Sequence, residues 1–420
     1  MNLPADFIDY TRSLFGEERW QRYLSAFSES APVSIRLNPF KPLTSGLSPL
    51  TSFSVPWCRN AYYLSERPNF TMDPLLHAGA YYVQEASSMF LDYVIANLSP
   101  LASRSALPLC TAKSLSPLYL DLCAAPGGKS TLLRAAMPDD AVLYSNEPDR
   151  RRANILMENM QKQGHPRVIV TNNYPRDYQK SGLSFDFILA DVPCSGEGMF
   201  RKDEGTIAEW SLQNVMKCQA LQRSIIEDIW PCLNDGGIMV YSTCTFNTRE
   251  DEENVRWIME TMGAEIIPIE TRAEWGITGS LLKGFDAPVY RFIPGITCGE
   301  GLFMAILRKR GERSKVEGQR LNVLHDGMKI EPMVKGRKVI PAHAEALSIA
   351  TAEEKYPRSE LTKDDALRYL HHEALVLPPD TPRGYVIVTY ESLPLGFVNN
   401  LGTRANNLYP KEWKIRRDIQ

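Results

Sequence analysis

The chain has 420 residues, of which 44% are hydrophobic and 23% charged, with a formal net charge of −3. That is an ordinary globular composition with room for two or three domains, and it excludes disordered, collagen-like and coiled-coil classes. No apolar stretch approaches the ~18–20 residues of a membrane span, and Asp6 and Asp9 stand where a signal peptide would be basic and then apolar, which predicts a cytoplasmic protein with no membrane partner.

The first segment, roughly 1–75, holds short apolar alternations such as Val33-Ser34-Ile35-Arg36-Leu37 and two Ser/Thr/Pro-rich stretches. It reads as a small α+β unit with loops. Between Leu98 and Pro117 the chain is rich in Ser, Leu and Pro with no helical or strand period, the pattern of a mobile surface insertion. From Leu118 onward, apolar runs of strand length alternate with helical stretches. The runs are Leu118–Leu122, Val142–Ser145, Val168–Thr171, Phe185–Ala190 and Ile238–Ser242. Between them, Asp149–Gln163 carries Ala153, Leu156, Met157 and Met160 on one face, and Val215, Cys218, Leu221, Ile225 and Ile229 form a second stripe. Five such repeats predict an α/β, doubly wound, Rossmann-like core with its ligand at the carboxyl ends of the strands. The polar stretch Arg308–Arg320 reads as a linker, and the remainder, ending in Val386–Tyr390, Leu395–Val398 and a basic tail, as a mainly β module.

The first of these strands runs into Asp121-Leu-Cys-Ala-Ala-Pro-Gly-Gly-Lys129. Gly127 and Gly128 permit a tight turn and close backbone approach, and the following helix offers its N-terminal amides. Glu147 lies 20 residues after Gly127, where a ribose-binding carboxylate falls in such folds. Neither the G-x-G-x-x-G of dinucleotide sites nor a phosphate loop is present, so S-adenosylmethionine fits better than NAD or ATP, and a dehydrogenase is disfavoured.

The fourth strand ends in Asp191-Val-Pro-Cys194-Ser-Gly and the fifth in Tyr241-Ser-Thr-Cys244-Thr. Strands four and five are neighbours in a sheet of this kind, so both cysteines are expected in one pocket, with a thiol pKa lowered by the amide dipoles there. The other cysteines read as packing residues. Eight cysteines without a C-x-x-C pair, and six histidines without ligand spacing, predict no disulfide framework and no metal.

The series DLCAAPGGKS, NEPDRRRANILMENMQKQG, FDFILADVPCSGEGMFRKDE and GGIMVYSTCTFNTREDEENV closely resembles the motifs of the Nop/Sun-type RNA 5-methylcytosine methyltransferases, in particular the RsmF-like branch. Further likeness lies in APVSIRLNPFK, RPNFTMDPLLHAGAYYVQEASSMF and PLGFVNNLGTRANNLYPKEW, so it spans nearly the whole chain. The resemblance implies an RNA-recognition-like N-terminal unit (1–75), a methyltransferase domain (76–310), and a linker with a PUA-like RNA-binding module (311–420). It makes Cys244 the nucleophile, Cys194 the cysteine that helps release product, and Asp191 the acid that holds and activates cytosine. It assigns Cys123, Ala124, Ala125, Pro126, Gly127, Gly128 and Lys129, with Glu147, Arg152 and Asp191, to the cofactor. Tyr174 stands where the family has an acidic residue, which leaves adenine to Asn173 or backbone groups.

The expected activity is thus cytosine carbon-5 methylation of ribosomal RNA. Transfer RNA methylation and a catalytically silent, RNA-binding assembly role are the alternatives. Arg404, Lys411, Lys414, Arg416 and Arg417, interleaved with Tyr409 and Trp413, suggest phosphate contact and base stacking at the tail.

Overall fold

The structure, a computed structural model, describes residues 3–43, 51–104, 116–310, 321–336 and 338–416, with only the backbone of 99–104. Two helices open it, α1 (Ala5–Phe15) and α2 (Glu17–Ala26). Their buried aromatics Phe7, Phe15, Trp20 and Tyr23 pack against Phe200, Trp210 and Phe246 of the central unit rather than against the sheet that follows.

That sheet is antiparallel, formed by β1 (Val33–Leu37), β2 (Thr51–Ser54), β3 (Ala61–Leu64) and, after the short α3 (Pro74–Ala78), β4 (Tyr81–Val83), in the order β2-β3-β1-β4. Arg36 on β1 docks it to the core: its Nη2 donates to Thr131 Oγ1 at 2.7 Å and its Nε to Gln84 Oε1 at 3.0 Å.

Helix α4 (Phe90–Arg104) corrects one expectation. Leu91, Val94, Ile95 and Leu98 lie against the core at helical spacing, and the helix runs on through the start of the stretch read as an aperiodic insertion. Residues 105–115 of that stretch lie outside the described residues, as do 311–320 of the linker.

The central sheet holds five parallel strands: β5 (Leu118–Asp121), β6 (Val142–Asn146), β7 (Val168–Thr171), β8 (Phe185–Asp191) and β9 (Leu233–Thr243). All four residues of β7 are buried, as strands covered on both faces require. The helices between them are α5 (Gly128–Ala136), α6 (Arg150–Gln163), α7 (Pro175–Ser181), α8 (Glu204–Glu209) and α9 (Leu212–Ile229). Asp149 caps α6 through the N–H groups of Arg151 and Arg152, both at 2.9 Å. Left-handed Gly164 ends it.

Beyond β9 come α10 (Glu252–Met262), β10 (Glu265–Ile266), β11 (Tyr290–Phe292) and β12 (Leu302–Arg308), the last antiparallel to β9. After the linker the chain returns to the same sheet: β13 (Val323–Asp326) pairs antiparallel with β7, completing the order β10-β12-β9-β8-β5-β6-β7-β13.

The hairpin β14 (Met333–Lys335) and β15 (Lys338–Ile340) then leads to a last unit. This has α11 (His343–Leu347), α12 (Lys363–Leu370) and a sheet of β16 (Arg358–Glu360), β17 (Gly384–Tyr390), β18 (Leu393–Asn400) and β19 (Ala405–Asn407). Lys41 ties the N-terminal unit to the central one. Its buried ammonium donates to Ala78 O at 2.9 Å and Lys162 O at 2.6 Å, the C-terminal ends of α3 and α6, and burial lowers its pKa to about 7.

Candidate active site

The strand order turns back between β5 and β8, so the loops after these two strands flank the crevice in which doubly wound sheets bind ligands. The β5 loop is the Gly-rich turn. Gly127 has φ +116°, a conformation open to glycine, and a Cβ at Gly128 would press on the Tyr82 ring at 3.2 Å. The neighbouring elements fix the turn: Ala124 N–H donates to Asn146 O at 2.8 Å, Arg152 Nη2 to Ala125 O at 3.0 Å and Asn159 Nδ2 to Pro126 O at 2.8 Å.

Two carboxylates at the ends of adjacent strands are buried and incompletely bonded. Glu147, only 2% exposed, accepts Asp149 N–H on Oε1, while Oε2 has no hydrogen bond and only Arg152 Nη1 at 3.5 Å. Asp121 accepts Ser130 Oγ–H at 2.6 Å on Oδ2 and nothing on Oδ1. Burial raises both acids, Asp121 to about 7. Asp121 was not singled out from the sequence, although its place at the end of β5 beside the glycines was the available signal.

At the ends of β8 and β9, Cys194 Sγ and Cys244 Sγ stand 3.2 Å apart. Asp191 is beside them with both oxygens engaged, Oδ1 by Ser242 Oγ–H at 2.7 Å and Oδ2 by Lys129 Nζ at 2.8 Å. Lys129, expected in the cofactor turn, therefore projects toward the acid. Burial pulls its ammonium down, but Asp191 foremost, then Cys244 and Asp121, outweigh this and leave its pKa above the ordinary value. At Cys194 the shift runs opposite to the expected lowering: its hydrogen bond with Cys244, together with burial, pushes this thiol well above the usual range.

A buried polar layer beneath the cysteines escaped sequence reading. Glu197, Glu250, Asp251, Glu252 and Asn247 are all buried. Arg291 of β11, itself fully buried, pairs with Asp251 at 2.8 Å and with Glu252, and donates to Phe246 O at 2.8 Å. Burial, then repulsion from Glu197, raises Glu250 to about 7. The α9 stripe is corrected accordingly: Leu221 is 50% exposed, while the polar Gln222 is buried because its amide serves this layer.

Other expected contacts fall elsewhere. The Asn173 side chain is bonded to the Asn322 backbone in both directions, at 3.1 and 3.0 Å, and anchors β13. Tyr174 is 58% exposed with the Arg176 guanidinium over its ring. Tyr409, expected to stack on bases, is 2% exposed, and Trp413 packs with it against His343. The aromatics of the tail belong to the domain junction because an apolar ring gains more from burial than from water. Arg404, Lys411, Lys414 and Arg416 remain exposed, and Arg417 lies outside the described residues. Among the described residues no group of His, Cys, Asp and Glu could hold a metal, and no helix is long and apolar enough to cross a membrane.

Three family profiles match the chain in order: the N-terminal domain of 16S rRNA methyltransferase RsmF over residues 3–86, 16S rRNA methyltransferase RsmB/F over 113–308, and the methyltransferase RsmF PUA domain over 356–415. Ribosomal RNA small subunit methyltransferase F of Citrobacter koseri is 28% identical over 93% of this chain and 92% of its own length. The protein of the same name from Pectobacterium atrosepticum is 29% identical over 74% of this chain, an alignment that spans 63% of that relative. The crystal structure of NSun6 from Pyrococcus horikoshii with SFG shares the fold, with a TM-score of 0.58 and 20% identity over 74% of this chain and 99% of that one. Together the three profiles match four fifths of the chain, and the RsmB/F methyltransferase profile spans both cysteines, so the chain is similar to the RsmF-type methyltransferases from its N-terminal unit to its last.

Proposed function

We propose that this protein methylates carbon-5 of a cytidine in small-subunit ribosomal RNA, using S-adenosylmethionine. The observation that carries the reading is the pair of sulfurs 3.2 Å apart beside Asp191, at the mouth of the ligand crevice. Carbon-5 of cytosine is a weak nucleophile. Addition of the Cys244 thiolate to carbon-6 moves the C5=C6 electron pair onto carbon-5, and Asp191, steadied by Lys129 and Ser242, is placed to hold the ring's polar edge. Once carbon-5 has taken the methyl group and S-adenosylhomocysteine has left, a base takes the carbon-5 proton, the C–H electron pair re-forms the double bond, and the Cys244 thiolate is expelled. Cys194, whose sulfur lies 3.2 Å from that of Cys244, assists that release as the base, its own proton having first gone to solvent. The base must leave its stack to admit a thiol to carbon-6.

The crevice suits the cofactor. The free oxygens of Glu147 and Asp121 can accept ribose hydroxyls and the ammonium of an amino acid, and no phosphate loop accompanies them. S-adenosylmethionine supplies the electrophilic methyl group. The names of the relatives favour ribosomal RNA, and the PUA match favours RNA binding by the last unit.

The test separates the cysteines. Cys244→Ala should abolish methylation and form no adduct. Cys194→Ala should add and methylate but fail to eliminate, leaving a protein–RNA complex that survives denaturing electrophoresis. Retention of activity by both variants would refute the reading. Bisulfite mapping of small-subunit and transfer RNA from cells lacking the protein identifies the substrate.

A further inference from the structure

Glu197 and Glu250 take no part in the chemistry above. Glu197 sits on the loop that carries Cys194, and Glu250 follows the loop that carries Cys244, yet each carboxylate is bonded to the other loop. Glu197 Oε2 accepts the N–H groups of Phe246 at 2.6 Å and Asn247 at 3.0 Å. Glu250 Oε2 accepts the N–H of Ser195 at 3.0 Å and Gln222 Nε2 at 2.7 Å, and the same Gln222 nitrogen donates to Pro193 O at 2.8 Å. The residues on both sides of Cys194 are thus held. Asn247 Nδ2 joins the two acids, at 3.0 Å from Glu197 Oε1 and 2.8 Å from Glu250 Oε1, and Trp210 Nε1 closes on Glu197 Oε1 at 2.9 Å.

We propose that Glu197 and Glu250 are positioning residues, a reciprocal clamp across the β8 and β9 loops that sets the separation and pairing of Cys194 and Cys244. The substrate rests on the reading above, whereas the effect on the thiols does not. The hydrogen bonds just given to these carboxylates all come from N–H donors, so only an oxygen acceptor on each side satisfies them. A glutamine of the same shape must turn an NH₂ toward a donor on one side. Two buried acids linked through one amide are costly to keep, and packing alone could have joined the loops with apolar side chains. What carboxylates add is fixed direction: three backbone N–H groups, two side-chain amides and an indole N–H converge on them and leave one arrangement of the two loops.

The test uses full-length Glu197→Gln, Glu250→Gln and the double variant. Turnover on RNA should fall on the order of 10²-fold, the loss that follows an ångström-scale misplacement of reacting groups. KM for RNA and affinity for S-adenosylhomocysteine should stay within about twofold of the wild type. The double variant should lose little more than the worse single variant, because both acids hold one geometry. Iodoacetamide alkylation, followed residue by residue by mass spectrometry, reads the thiols without substrate. Cys244 should react far faster than Cys194 in the wild type, and the two rates should converge in each variant.

Unchanged alkylation rates would overturn the clamp, as would loss of cofactor affinity in step with turnover, since that marks general unfolding. Converging rates in a protein whose wild type methylates no cytidine would support the clamp and sink the reading of the reaction. Should either glutamine variant fail to fold, Gln222→Met, which removes the donor shared by Pro193 O and Glu250, carries the same alkylation test.

Discussion

Replacing Glu147 by Gln isolates a single charge in the crevice. The glutamine keeps the side chain's shape and one oxygen for the Asp149 N–H, and puts an NH₂ where the unpartnered Oε2 stands. Arg152 will not mask the change, because it lies 3.5 Å away with its side chain 56% exposed, and so contributes little to the carboxylate's energy. A hydrogen bond to a charged group is worth about 1.5–3 kcal/mol and a neutral one about 0.5–1.5. The exchange therefore costs about 1–1.5 kcal/mol per bond, or about 1–3 kcal/mol for the one or two ribose hydroxyls that one oxygen can accept. Calorimetry with S-adenosylhomocysteine should show affinity weakened roughly 5- to 150-fold. The ligand-free variant should melt no lower than the wild type, because burial already holds the Glu147 carboxyl above its ordinary range and the amide is relieved of that charge. Affinity within twofold of the wild type would remove Glu147 from the site. Weaker affinity together with a lower ligand-free melting temperature would mean the carboxylate serves the fold.

Three further outcomes are expected. His343→Phe should flatten the acid side of the stability profile: both ring nitrogens are enclosed without partners, and burial, aided by Lys162 and Lys41, lowers its pKa to about 3. A histidine held neutral in the fold contributes fully above its unfolded pKa near 6.5 and loses up to about 1.4 kcal/mol per pH unit as pH falls toward 3, so urea unfolding at pH 7 and 4.5 should differ less in the variant, and equal differences would exclude His343 as the titrating group. Arg291→Met leaves Asp251 and Glu252 as buried, unpaired charges and should cost about 3–5 kcal/mol in denaturant unfolding; a loss below about 1 kcal/mol would contradict the pairing. Lys411→Ala, Lys414→Ala and Arg416→Ala together should weaken RNA binding and lower its salt slope by about one per lost phosphate contact, whereas the same affinity and slope would mark a merely solvated tail.

Local pattern made most of the core legible. The five parallel strands begin and end within two residues of the apolar runs in the sequence, except β9, which starts earlier at Leu233, and α6 follows its stripe from the Asp149 cap to Gly164. Strand period, cap and glycine are properties of neighbouring residues, so the sequence alone carries them. It also carries the adjacency of the PCSG and STCT turns, because strand order in a doubly wound sheet follows from the alternation itself. What it does not carry is who meets whom across the fold. The run Arg249–Asn254 is almost entirely charged, yet Glu250, Asp251 and Glu252 are fully buried. Their partners, Ser195, Gln222 and Arg291, come from 28 to 55 residues away. Tyr409 and Trp413 read as exposed for the same reason, since the His343 surface that covers them belongs to a different element. Whether a charged or aromatic side chain is buried depends on a compensating group that only the tertiary structure supplies. The sequence thus determined the sheet, the Gly-rich turn and the presence of two cysteines at one edge, and the packing of distant segments decided that those cysteines touch and what holds them there.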